Sequence, residues 1–267
     1  MKKLLTIAGS DSSGGAGIQA DLKTFSAHGV FGMSVITAVT AQNTQGVFAV
    51  QEITPEVIAA QIDAIFDDIE VDAVKIGMVA NVETIAVIAA KLRHYGAKNI
   101  VVDPVMISKS GYHLLRCEAE QALMNSLLPL ADLVTPNIPE AEVLTERKIV
   151  SLVDMEQAAK QIFAMGPKQV LVKGGHLVDD ATDIFYDGKN FHHLTAQRII
   201  TRNTHGTGCT LSSAIAANLA LGFPVTEAVQ QAKAYVTLAI EHSLNIGKGN
   251  GPTHHFYELY RKAGLLE

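Results

Sequence analysis

The segment Asn203-Thr204-His205-Gly206-Thr207-Gly208-Cys209-Thr210 runs straight into the apolar stretch Leu211 to Leu221. It puts glycines, hydroxyls and a thiol where a helix begins, and the first-turn N–H groups of a helix have no partner inside it. Such a turn binds anions, phosphate above all. Gly206 and Gly208 allow close backbone approach and positive φ, which suits a loop wrapped around a transferring phosphoryl group. Cys209 lies at the positive end of that helix, where its thiolate is expected to be favoured and could accept a proton. The plainer alternative is a glycine-rich junction with a buried cysteine. His205 beside Cys209 also raises a cysteine hydrolase, but that chemistry needs a base and an orienting group. The intervening glycines favour phosphate chemistry over acyl transfer.

A second glycine-rich stretch, Gly9-Ser10-Asp11-Ser12-Ser13-Gly14-Gly15-Ala16-Gly17, follows the first apolar run. It is not a Walker A loop, because Gly14 is followed by Gly15-Ala16 rather than by Lys and Ser or Thr. Gly15-x-Gly17-x-x-Ala20 fits a dinucleotide fingerprint only loosely, its first glycine lying several residues beyond the strand. A dinucleotide-binding protein without catalysis is therefore the weaker alternative. Asp11, Ser12 and Ser13 add polar groups that a bare turn does not require. Asp21, just inside the next helix, could face a site or complement the helix's positive end. Gln42 carries a donor and an acceptor on one amide, matching the edge of a heterocycle that bears an amino group beside a ring nitrogen. Asp103-Pro104-Val105 and Asn137-Ile138-Pro139-Glu140 each follow a strand. Mg²⁺ prefers a few carboxylates plus water and substrate phosphates, so Asp103 and Glu140 are candidate holders of a nucleotide-bound metal. Glu140 could equally serve its own helix N-terminus. Lys173 with Gly174-Gly175-His176 offers a cation beside flexible backbone where a triphosphate could lie, or a snorkelling strand-end lysine. His192-His193 and His254-His255 read as surface or local packing residues rather than metal ligands.

The elements that would position these groups alternate. Strands are predicted over Leu4–Ala8, Ser34–Ala41, Ala73–Ile76, Ile100–Val102, Leu133–Thr135 and Val170–Lys173. Helical patterns cover Pro55–Ile69, Glu118–Leu128, Asp154–Ala164 and Thr226–His242, while Asp179–Asp187 and Phe191–Leu194 read as a hairpin turning at Asp187-Gly188. That rhythm predicts an α/β fold with a mostly parallel sheet, whose ligands gather beyond the carboxyl ends of the strands. The 267 residues carry no composition shift or repeat, so one domain over 1–267 is expected. A net charge of -6 with scattered lysines and arginines argues against a nucleic-acid partner. No apolar run reaches the ~20 residues of a spanning helix, and the N-terminal apolar stretch is too short for a signal peptide. Cys117 and Cys209 are the two cysteines, which points to a reducing cytoplasm rather than a disulfide framework.

Taken in order, these motifs resemble the hydroxymethylpyrimidine/phosphomethylpyrimidine kinases of thiamine biosynthesis, in the ribokinase-like superfamily. The resemblance runs through Thr6–Asp11, Asp21–Phe25, Thr40–Thr44, Lys75–Met78, Asp103–Met106, Thr135–Asn137, Lys173–His176, Thr204–Thr210 and Gly251–Phe256. It implies a three-layer α/β/α fold, ATP and Mg²⁺, a cytoplasmic homodimer, and two phosphorylations. These convert 4-amino-5-hydroxymethyl-2-methylpyrimidine to its monophosphate and then to its diphosphate. It also implies that Cys209 stands where sugar kinases of the superfamily keep a catalytic Asp, with Gly206, Thr207 and Gly208 as the anion hole. Ala16, Asp21, Gln42, Met78 and Val105 would form the pyrimidine pocket, with Met78 packing on the ring. Lys173 and Thr204 would serve the nucleotide, and Asp103, Asn137 and Glu140 the magnesium. Related pyridoxal kinases carry a second cysteine in the flap after the Asp-Pro-Val-Met run, where this chain has Ile107-Ser108-Lys109-Ser110-Gly111. Pyridoxal/pyridoxine kinase is the alternative function, and that departure weakens it.

Overall fold

The computed structural model describes residues 1–106, 114–175 and 181–266. In chain order the elements are β1 (Lys3–Asp11), α1 (Gly17–Ala27), β2 (Phe31–Asn43), β3 (Gly46–Glu52), α2 (Pro55–Phe66) and β4 (Ala73–Ile76). There follow α3 (Val82–His94), β5 (Ile100–Val102), α4 (Cys117–Ala122), β6 (Leu133–Val134), α5 (Ile138–Thr145), α6 (Leu152–Phe163) and β7 (Val170–Val172). The chain closes with β8 (Asp183–Tyr186), β9 (Phe191–Leu194), α7 (Thr207–Leu221), α8 (Val225–Glu241) and α9 (Tyr257–Lys262).

Among the described residues the strands form one sheet in the order β3-β2-β1-β4-β5-β6-β7-β8-β9. Strands β2 through β7 in that row pair in parallel, and β3, β8 and β9 join antiparallel at the two edges. The chain runs outward from β1 to β2 and returns to β4 on the other side of β1. The strand order therefore reverses at β1, and a crevice opens beyond its carboxyl end.

Alternation along the strands feeds two cores. Leu5, Ile7, Ile100 and Val102 face one core with Ile58 and Ile62 of α2, Ile88 of α3 and Ile162 of α6. Leu4 and Val101 face the other with Phe25 of α1, Ile215 of α7 and Val229 of α8. The result is an α/β/α sandwich. Each fully buried Leu, Ile or Phe contributes about 1.5–3 kcal/mol relative to exposure. Helix α7 is buried from Thr210 to Ala220, and its small residues let it lie against the sheet with α8 behind it. Helix starts follow local chemistry: Pro55 opens α2, the Asn81 side chain accepts from Thr84 N–H at α3, and Ser151 does the same for Asp154 at α6.

Several expectations need correction. The second strand extends to Asn43, so Gln42 lies within it, opposite Val47, rather than after it. Strand β3 and helix α3 stand where nothing was anticipated; β3 is an edge strand with no buried residue, so it has no alternating signature. The helix from Pro55 ends at Phe66, and the pattern over 118–128 divides into α4 and a π-helical turn, Leu123–Leu127. The hairpin strand begins at Asp183; Asp179, His176 and the segment Ile107–Gly111 lie outside the described residues.

Candidate active site

A cavity of about 700 Å³ runs across the carboxyl ends of the central strands. Three groups of residues line it. At one end Ala16, Gln42, Met78 and Val105 come together from the loop after β1, from β2, and from the loops after β4 and β5. Gln42 is anchored through its backbone: its N–H donates to Ser12 Oγ at 2.9 Å, and Ser12 Oγ donates back to the Gln42 carbonyl at 2.7 Å. Its side-chain Oε1 lies 3.2 Å from Thr40 Oγ1. A side-chain amide thus stands on a fixed backbone at this end of the cavity.

In the middle, Thr204, Gly206, Thr207, Gly208 and Cys209 line the cavity at the start of α7. Gly206 has φ 78° and a Cβ there would stand 1.7 Å from the Gly15 carbonyl oxygen, so only glycine fits. The two glycine-rich loops touch at this point. The Thr207 hydroxyl donates to the Thr204 carbonyl at 2.9 Å and closes the turn. Lys173 Nζ and Asp103 Oδ2 lie 3.5 and 3.6 Å from where a side chain on Gly208 would begin. First-turn N–H groups, a lysine and the positive helix end therefore converge on one spot in the cavity with the Asp103 carboxylate beside them, an arrangement able to receive an anion.

Lys173 is not a snorkelling strand-end lysine. Its Nζ donates to Asp103 Oδ1 at 2.7 Å, and Thr135 Oγ1 donates to the same oxygen at 3.1 Å. Burial opposes charge on Asp103, but Lys173 and Lys75 outweigh it and hold the carboxyl below its ordinary range. Glu140 behaves oppositely: burial pushes it up to about 7, Asp103 adds to the rise, and Lys173 only partly offsets it. Glu140 and Asn137 form a capping box at the start of α5, each side chain accepting from the other's backbone N–H, at 2.8 and 2.9 Å. Asn137 Oδ1 is thus already engaged, and the helix-start role of Glu140 is present. Both residues still line the cavity, as does Asp103. Two carboxyl groups beside a helix start that can receive phosphate are the kind of donor set Mg²⁺ uses when phosphates and water complete its shell. Among the described residues no cluster of three or more His, Cys, Asp or Glu forms an all-protein metal site.

Two expectations fail. Asp21 does not line the cavity: fully buried behind it, its carboxylate accepts from Lys75 Nζ at 2.9 and 3.0 Å, Thr6 Oγ1 at 2.6 Å and Ser213 Oγ at 2.6 Å. Cys209 is not a favoured thiolate: burial pushes its thiol up to about 11, and the nearby Lys75 ammonium recovers only part of that. Desolvation, with the Asp21 and Asp103 charges, outweighs the Lys75 ammonium and the hydrogen bond from the Gly17 backbone. His205 does not pair with the thiol; its Nε2 bonds Asp11 Oδ2 at 2.8 Å. His192 and His193 pair with Asp187 and Glu156 instead of gathering a metal.

The structure adds groups that the sequence reading gave no role. Lys75, in the middle of β4, reaches the cavity floor next to Cys209, and a lysine inside a short apolar strand is a signal that could have found it. The far end of the cavity is walled in part by Ile199, Val236 and Ile240, which carry no motif because they act as apolar surface.

A sheet with a switch point at β1, a glycine-rich helix start and one cavity reaching both make the frame of a small-molecule kinase of ribokinase-like fold. The family model described as phosphomethylpyrimidine kinase matches residues 11–254, and the chain belongs to that family. A hydroxymethylpyrimidine/phosphomethylpyrimidine kinase of Rhizobium meliloti is 58% identical over 261 residues, covering 96% of this chain and 98% of that protein. A protein of the same description from Escherichia coli is 46% identical, covering 96% of this chain and 99% of its own length. The crystal structure of phosphomethylpyrimidine kinase from Clostridium difficile superposes with a TM-score of 0.81 at 55% identity, over 90% of this chain and 100% of that one. Pyridoxal kinase from Staphylococcus aureus, in complex with AMP-PCP and pyridoxal, superposes with a TM-score of 0.89 at 38% identity, over 96% of this chain and 94% of that one.

Proposed function

We propose that this chain transfers the γ-phosphoryl group of ATP first to 4-amino-5-hydroxymethyl-2-methylpyrimidine and then to the resulting monophosphate. The supporting observation is the single cavity that joins the Gln42 end, the anion site at Gly206–Cys209 and the apolar far end. In this reading Gln42 meets the amino-pyrimidine edge while Ala16, Met78 and Val105 enclose the ring. The adenine lies against Val236 and Ile240, and the triphosphate runs past Lys173 and Thr204 to the helix start. The backbone N–H groups of Gly206, Thr207 and Gly208 receive the transferring group, where charge builds up. Cys209 takes the hydroxyl proton in the first step. Asp103 and Glu140, with Asn137 beside them, would hold Mg²⁺, which when bound neutralises charge on the phosphates. Lys75, held by Asp21, keeps a positive charge beneath Cys209.

The same reading takes residues 1–267 as one catalytic domain, acting as a homodimer in the cytoplasm. Among the described residues no helix is long and apolar enough to cross a membrane. The likeness to pyridoxal kinases makes pyridoxal the second substrate to try. Incubation with ATP, Mg²⁺ and each candidate acceptor, followed by mass spectrometry of the products, is the test. Successive mono- and diphosphates of the pyrimidine are expected; transfer to neither acceptor would overturn the assignment.

A further inference from the structure

We infer that Asp11 and His205 act together as a positioning pair that locks the loop presenting the acceptor to the loop that cradles the transferring phosphate. This rests on the kinase reading above and assigns the pair a part in the reaction, though neither side chain need touch a reacting atom.

The two residues are 194 positions apart in sequence and meet at 2.8 Å, where both are buried, 3% exposed for Asp11 and 7% for His205. A carboxylate can only accept, so Nε2 of His205 carries the proton and donates it. Burial works against charge on Asp11, but bonds from His205 and Ser13 bring its pKa down to about 2, so it is ionised at any working pH.

Asp11 uses every face of its carboxylate. Oδ1 accepts from Ser13 N–H at 2.8 Å and Ser13 Oγ at 2.7 Å, and Oδ2 accepts from Gly15 N–H at 3.1 Å, Ala16 N–H at 2.8 Å and His205. One side chain thus shapes the loop that carries Ala16 into the acceptor end of the cavity. His205 immediately precedes Gly206, the start of the anion site, and its own N–H donates to the Gly251 carbonyl at 3.0 Å. The contact continues into the backbone. A Cβ on Gly15 would meet the His205 ring at 2.3 Å, and one on Gly206 would meet the Gly15 carbonyl.

Structural stability alone does not call for this arrangement. Each loop already has its own backbone bonds, Gly14 N–H to the Asp11 carbonyl at 2.9 Å and Thr210 N–H to the Gly206 carbonyl at 2.9 Å. What the Asp11–His205 bond adds is the relative placement of the two, and in-line transfer is sensitive to misplacement of about 1 Å.

The test compares His205→Leu, His205→Gln, Asp11→Asn and the double variant Asp11→Asn/His205→Leu. Glutamine can set an N–H donor near the position of Nε2, so it keeps the bond that leucine removes. With pyrimidine and ATP as substrates, His205→Leu is expected to lower kcat by on the order of 10² while both KM values stay within about threefold. His205→Gln should recover most of that loss, and the double variant should be no slower than the slower single one. Thermal unfolding of each variant separates a folding defect from a catalytic one. The inference is overturned if His205→Leu retains wild-type kcat, if its loss disappears once the folded fraction is corrected for, or if the two single losses multiply in the double variant. If instead the wild-type chain phosphorylates neither pyrimidine nor pyridoxal, the kinase reading itself has failed.

Discussion

Replacing Cys209 with alanine separates the two proposed phosphorylations. A hydroxymethyl oxygen is neutral and must lose a proton as it attacks, whereas a phosphate monoester presents an oxygen that is already anionic. With its pKa pushed up to about 11 by burial, the Cys209 thiol is protonated at working pH. At pH 8 about one thiol in a thousand is ionised, which costs about 4 kcal/mol at 1.36 kcal/mol per pH unit. Since kcat/KM reports the free enzyme, its value for the alcohol should climb about tenfold per pH unit between pH 7 and 9. Cys209→Ala removes the base, so the first step should fall by on the order of 10² or more and lose that slope. The second step should change less, because the N–H groups of Gly206–Gly208 survive a side-chain change. Single-turnover assays of each substrate across that pH range decide the matter. Equal losses in both steps would refute a base selective for the alcohol, a flat wild-type profile would refute the thiolate, and no loss in either step would remove Cys209 from catalysis.

Gln42→Leu leaves the polar edge of the pyrimidine unpaired at a cost of about 1–3 kcal/mol, so calorimetry should show pyrimidine affinity lowered at least several-fold and ATP affinity nearly unmoved. Glu140→Gln keeps the capping box, which accepts either residue, but loses a charged metal holder; more Mg²⁺ should be needed for half-maximal rate while the melting temperature holds. A magnesium titration that overlays wild type would confine Glu140 to its helix. Lys75→Met strands the buried Asp21 carboxylate and should cost about 3–5 kcal/mol, roughly 10 °C in Tm for a chain of this size, with much of it recovered in Lys75→Met/Asp21→Asn. Additive losses in that double variant would show that the two groups are not a unit.

Much of the frame was legible because its signals are local. The strands at Leu4–Ala8, Ala73–Ile76 and Ile100–Val102 are short apolar runs between helical patterns, and the glycines at 206 and 208 announce a loop that must pass close to something. Asp103 and Lys173, which line the cavity, directly follow strands, where an open α/β sheet gathers its ligands, while Gln42 sits one residue from the end of β2 and Thr204 lies in the loop just before α7. What escaped depends on three-dimensional surroundings. Asp21 looks from sequence like any acid near a helix start, and only the meeting of β1, β4 and α7 shows it enclosed around Lys75. The Cys209 thiol was misjudged because a helix end is visible in sequence whereas its desolvation is not. The apolar wall at Val236 and Ile240 is indistinguishable in sequence from the core-facing residues of the same helix.

The Asp21 cluster also bears on how the molecule comes apart. Its carboxylate is reached from β1 through Thr6, from β4 through Lys75 and from α7 through Ser213, so four elements including α1 share one dry charge. Lifting α7 alone would admit water to one side of the pair without freeing it from the sheet, and the helix has no low-energy way to fray at the end that carries the anion site. Opening there is therefore tied to disruption of the whole sheet. In hydrogen exchange the amides from Thr210 inward along α7 should report the global unfolding free energy, so the helix behind the proposed phosphate cradle is expected to open only with the whole fold.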